Sequence, residues 1–208
     1  MPKIRRDSLM SLEQYAKERP LFRSRVIAHQ RLRRLHLGGH VTLLFEDELT
    51  IRFQVQEMLR IERIFEEESV LGELGAYNPL VPDGSNFKAT MLIEYPDAAE
   101  RKVMLSQLVG IEDRTWVRVA GQPALYAVAD EDMDGERAVK APAVHFLRFE
   151  LSAAMKGALL GGAPLSAGID HPHYRASVDP VADSLRMSLL APTASNRSSR
   201  IQDGCCVN

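Results

Sequence analysis

The chain has 208 residues, 45% of them hydrophobic and 26% charged, with a net charge of -2. That length is enough for one domain with a substantial core, and the composition sits at the soluble globular average. The near-zero balance excludes a global pull toward nucleic acid or an anionic membrane. No apolar run approaches the ~20 residues that a membrane-spanning helix needs.

The N-terminal "MPKIRRDSLMSLEQ" is basic but lacks the apolar centre of a signal peptide, so a cytoplasmic location is the expectation. Ser11 and Gln14 form a capping box for a short helix that Pro20 is expected to end. A second helix is predicted from about Leu21 to Leu35. Phe22, Val26 and Ile27 form its apolar stripe, and "LGG" at Leu37 to Gly39 is its stop. Between Met1 and His36 there are ten Lys or Arg and three Asp or Glu, a local charge of +7. This is the best case for a nucleic-acid partner. With no recognised reader motif, the solvated face of one or two helices is the preferred reading.

"HVTLLFEDELTIRF" reads as two short strands around an acidic turn at Glu46 to Glu48. "QVQEMLRIERIFEEE" reads as a helix, "SVLGELGAYNPLVPDG" as a broken helix and loop, and "FKATMLIEYP" as a strand. Pro96 and Asp97 open a helix that Gly110 closes. "TWVRVAG", "ALYAVAD" and "AVHFLRFEL" are strand-like, and "AAMKGALL" after Ser152 is a small helix. "PLSAGIDHP" is a further strand and "VADSLRMSLLA" a last helix. Without regular strand-helix alternation, the pattern predicts an α+β fold: N-terminal helices plus a mostly antiparallel β-sheet with packed helices. Residues 1–190 are read as one domain. Residues 191–208 are small, polar and aperiodic, and are read as a disordered tail.

Three stretches bear on chemistry. "DEDMDGE" opens like a calcium loop, with Asp130, Asp132, Asp134 and Gly135. A twelve-position loop would place Ala141 where a bidentate glutamate must close the shell, and Pro142 blocks an exiting helix. A solvent-exposed, metal-free hairpin loop is therefore expected. In "QVQEMLRIERIF", about 100° per residue puts Val55, Met58, Leu59, Ile61 and Phe65 on one face. Glu62 falls in its middle and Gln54 near its edge, while Glu57, Arg60 and Arg63 point away. A carboxylate on a buried stripe needs a partner, a metal or a proton. Gln54, Glu57, Arg60 and Glu62 are therefore the candidate polar site, against the structural alternative of an arginine ion pair. In "GIDHPHYRA", Asp170, His171 and His173 form a partial shell for zinc or iron, with the two imidazoles at alternate strand positions. Glu62 or His145 would complete such a metal site. Phosphate-loop and nucleophile-elbow motifs are absent from the sequence. The only cysteines, Cys205 and Cys206, exclude a disulfide framework, and "CCVN" matches a prenylation box only superficially.

"RVIAHQRLRRLHLG", "VTLLFED", "IRFQVQEMLRIERI", "ATMLIEYPD", "LVGIED", "VHFLRFEL" and "DHPHY" occur in that order. The order resembles the bacterial family called domain of unknown function 3501, over about Ile4 to Leu190 and most densely at Phe53 to Glu62. The resemblance brings no activity with it. It implies a setting of oxidative stress or iron handling, beside rubrerythrin-like diiron proteins and iron-sulfur oxidoreductases. The expectation is an accessory or binding protein in that setting. The alternatives are a metal-dependent enzyme or metal binder using Glu62, His171 and His173, and a nucleic-acid-binding regulator acting through the basic N-terminal helices.

Overall fold

The computed structural model describes residues 4–129 and 141–191. In chain order it contains α1 (Leu12–Arg31), β1 (Arg34–Leu37), β2 (Val41–Phe45), α2 (Glu48–Ile61), α3 (Glu67–Tyr77) and β3 (Asn86–Ile93). These are followed by α4 (Ala98–Gln107), β4 (Thr115–Val119), β5 (Leu125–Tyr126), β6 (Val128–Ala129) and β7 (Val144–Glu150). The last elements are α5 (Ala153–Leu160), β8 (Leu165–His171), β9 (Tyr174–Val178) and α6 (Asp183–Leu190). The strands form two sheets, ordered β1-β2-β3-β7-β6 and β5-β4-β8-β9, and every pairing is antiparallel. The fold is α+β, as the pattern predicts. Among the described residues no helix is long and apolar enough to cross a membrane.

Alternation within the strands makes the core. Leu35 and Leu37 of β1, Leu43 and Phe45 of β2, and Phe87, Ala89 and Met91 of β3 point to one face of the first sheet. They join Val117 and Val119 of β4 and Leu165, Ala167 and Ile169 of β8 in one apolar cluster, with Met155 and Leu159 of α5 at its side. A smaller cluster holds α2 to α3 through Ile51, Val55, Leu59, Val70 and Leu74.

Several expected boundaries differ. Pro20 does not end the first helix, because α1 runs straight through it to Arg31. An interior proline costs about 3 kcal/mol. Buried Tyr15, Phe22 and Val26 lie on one side of the helix and hold it down, with Tyr15 and Phe22 edge-on at 6.1 Å. The expected strand at "TIRF" is instead the first turns of α2. Asp47 accepts from Leu49 N and Thr50 N, and the Thr50 side chain accepts from Asp47 N, so the acidic residues start a helix rather than turn a hairpin. β9 was not expected at all. It packs back on β8, and Tyr174 reaches the β1–β2 turn, where its hydroxyl donates to Leu37 O at 2.5 Å. Gly38 sits there at φ +70°, and any Cβ would lie 2.6 Å from the Tyr174 hydroxyl. The acidic loop with Asp130, Asp132 and Asp134 and the tail with Cys205 and Cys206 lie outside the described residues.

Candidate functional site

The end of β2 is a polar junction inside an apolar fold. Arg33 is 5% exposed and bridges three segments. Its Nε donates to Phe45 O (2.9 Å), Nη2 to Glu46 O (3.0 Å) and Nη1 to Ser188 O on α6 (2.6 Å). Burial lowers the Arg33 pKa from its ordinary value, and the nearby Asp47 and Glu46 oppose that shift. Asp47, besides capping α2, meets His29 Nε2 at 2.6 Å. Glu46 is 2% exposed. Its carboxyl accepts from Thr50 Oγ1 (2.5 Å), Thr90 Oγ1 (2.6 Å) and Gln54 Nε2 (3.2 Å), all uncharged donors. Burial raises its pKa above the usual carboxylate range, and those three hydrogen bonds only partly offset the shift.

Beside this junction lies a cleft of about 300 Å³. Its walls are largely hydrocarbon, from Phe45 and Phe87 of the sheet, Leu151 after β7, Leu159 and Leu160 of α5, and Leu189 and Leu190 of α6, with Glu46, Asn86 and Lys88 on the sheet side. Arg33 and Asp47 line one end, the loop at Pro82 to Gly84 another, and Lys156 stands on the α5 wall one helical turn before Leu159 and Leu160. Asp83 is held internally, accepting from Ser85 N (2.8 Å) and Ser85 Oγ (2.5 Å), and those bonds lower its pKa below the ordinary carboxylate value. Lys156 has no acidic partner among the ion pairs of the described residues.

The residues nominated from sequence do not form one site, although Glu57 and Arg60 meet. Gln54 joins Glu46. Glu57 belongs to a separate network, accepting from Tyr15 (2.7 Å), Arg19 (2.7 and 2.8 Å) and Arg60 (3.2 and 3.3 Å). The Arg19 hydrogen bond is the main reason its carboxyl is pulled down to about 2. Glu62 is exposed, contrary to the expectation of a buried stripe. The helical wheel assumed that α2 continued to Phe65, but the helix ends at Ile61. Arg63 turns to φ +54° and Ile64 N donates to Leu59 O (2.9 Å), a left-handed helix stop with Ile64 packed against the Leu59 cluster. Ile61 and Phe65 are accordingly 60% and 70% exposed.

Asp170 and His171 close β8 at the expected strand end, but His173 lies in the β8–β9 turn rather than at an alternate strand position. Asp170 accepts from Tyr126 OH (2.7 Å). His171 is buried, its Nε2 bonded to Val109 O (3.1 Å) and its Nδ1 accepting from His173 N (3.2 Å). Both its nitrogens are thus engaged by the backbone. His173 is exposed, with its ring centroid 5.8 Å from that of His171. Among the described residues no group of three or more His, Cys, Asp or Glu side chains is placed to hold a metal ion. The convergence expected of Glu62, Asp170, His171 and His173 is not present.

His145 forms a second buried polar pair. It is 8% exposed, on the core side of β7 opposite Met91. Its Nδ1 lies 3.6 Å from Glu112 Oε2, near enough for attraction and too far for a hydrogen bond. Glu112 Oε2 and His145 Nε2 are buried with no hydrogen-bond partner among the described residues. Burial lowers the imidazole pKa, against the opposing pull of Glu112.

Residues 3–192 match the family described as "Protein of unknown function (DUF3501)". The chain belongs to this family. It is also similar to a crystal structure described as a novel protein of unknown function from Burkholderia pseudomallei K96243. The two share 52% identity over 91% of this chain and 98% of that one, with a TM-score of 0.86. No curated protein matches the chain.

Apart from Gln54, the junction and cleft residues were missed from sequence. One available signal was the Asp47-to-Thr50 spacing, a helix-start pattern that was outweighed by the β-branched, strand-like composition of "LTIRF". Arg33 gives no such signal, since it sits among Arg31 and Arg34 and differs from them only in what surrounds it.

Proposed function

We propose that this protein is a binding protein that holds a small organic ligand in the cleft between the end of the first sheet, α5 and α6. The observation that carries this reading is the cleft itself. It combines largely apolar walls, a rigid polar end built on Arg33 and Asp47, and the ammonium group of Lys156, free of an ion-pair partner among the described residues. Concave apolar sites with a few convergent polar groups are the usual form of ligand pockets. The carboxyl groups at its edge are already bonded within the fold, so the lining is suited to holding a molecule rather than to attacking one. In the accessory role that the resemblance implies, ligand occupancy is the signal that a redox or iron-handling partner would read. The test is a fragment library screened by NMR on the labelled chain. The expected shifts fall at 86–88, 156–160 and 189–191. Hits that map elsewhere on the surface overturn the reading.

A further inference from the structure

The charges around the cleft restrict what it holds. Arg33 and Asp47 face each other at 3.6 Å, and Asp47 is further engaged by His29. Asp83 is bonded to Ser85, and the neighbouring Lys88 also lowers its pKa. Glu46 also lines the cleft, its carboxyl held by Thr50, Thr90 and Gln54. Lys88 donates to Pro79 O and lowers the Asp83 pKa, so Lys88 is set against Asp83, Arg33 against Asp47, and burial favours the neutral form of Glu46. The net lining charge is then one positive charge, and Lys156 is the cation with no carboxylate beside it among the ion pairs of the described residues. It stands beside Leu160 on a wall that is otherwise hydrocarbon. A neutral ligand would leave that ammonium unmatched, and a dianion would face Asp47 and Asp83 with a net lining charge of one positive to meet it.

Resting on the binding role assigned above, we propose that the ligand is an amphiphilic monoanion, a straight-chain carboxylate with its head on Lys156 and its chain against Phe87, Leu189 and Leu190. The size agrees with this class. At about 30 Å³ per heavy atom, the share of one water in the liquid, the cleft takes about ten heavy atoms. That corresponds to an acid of about eight carbons.

The experiment is calorimetric titration of the full chain with carboxylates from butyrate to dodecanoate, with 1-octanol and octyl phosphate as matched controls. Affinity is expected to rise about fourfold per added methylene and to level off near eight carbons. Lys156→Met should weaken octanoate about tenfold and leave 1-octanol unchanged. Leu190→Trp, with Leu189→Phe as a milder second variant, should weaken both ligands in protein that melts as the parent does. If 1-octanol binds as tightly as octanoate and Lys156→Met changes neither, the anion assignment falls while the cleft remains a binding site. Octyl phosphate binding more tightly than octanoate overturns the monoanion. Octanoate binding that survives both cleft-filling variants places the acid elsewhere, and overturns the proposal and the cleft reading together.

Discussion

Arg33, just before β1, and His145, on β7, are both buried against the first sheet, and the chain treats them differently. All three guanidinium nitrogens of Arg33 are bonded, and the neighbouring Glu46 carboxyl accepts three hydrogen bonds. The His145–Glu112 pair is separated by 3.6 Å and leaves two buried atoms without partners among the described residues. Burying a polar group costs little net stability when its bonds are replaced, and the full desolvation cost when they are not. The first cluster is therefore a staple joining β2, α2 and α6. The second is a point where protonation works against the fold.

The largest test of that contrast is Arg33→Met. It leaves the carbonyls of Phe45, Glu46 and Ser188 without their donor and Asp47 without its buried partner. A loss of about 3–5 kcal/mol in urea unfolding is expected. Arg33→Lys should recover little, because an ammonium cannot span three carbonyls as a planar fork does. A loss below about 1 kcal/mol would mean that the junction is not a staple.

Next come two opposite pH dependences. The folded pKa of Glu46 is raised, so the native state holds the proton more tightly than the unfolded chain. Its contribution is complete below the unfolded value, about 4.3, and is lost as pH rises through the folded one. Glu46→Gln should flatten that decline. The folded pKa of His145 is lowered, so its contribution is present above about 6.5 and lost as pH falls through the folded value. His145→Leu should stay within about 1 kcal/mol of the parent at pH 7.5 and unfold less readily in acid. Melting curves of both variants from pH 4 to pH 9 test the contrast. If both shift the same limb, the contrast fails.

The smallest effects sharpen the correction at the end of α2. Glu57→Gln should cost about 1 kcal/mol, as a partly buried carboxylate loses its arginine partners. For the parent, the Glu57 contribution is present above about 4.3 and fades as pH falls toward about 2. Glu62→Ala, at an exposed helix end, should stay within about 0.5 kcal/mol. A larger loss at Glu62 than at Glu57 would restore the buried-stripe reading.

By itself the sequence determined the class of fold, the strands of the central ladder and most helix starts. These follow from local causes: two-residue alternation in "FKATMLI", and the caps at Ser11, Asp97 and Ser152, each of which accepts from a backbone amide three residues on. The partners of Gln54 and Glu57, which are Glu46 for the one and Tyr15, Arg19 and Arg60 for the other, were not legible in it. Tertiary structure alone decided that α1 survives Pro20, since the compensating burial of Tyr15 and Phe22 is not local. It decided that Glu62 is exposed, since a helix stop on Arg63 carries no glycine to announce it. It also decided the cleft. Arg33, Phe87, Lys156 and Leu190 are far apart in the chain, and only the packing of α5 and α6 on the end of the sheet brings them around one volume.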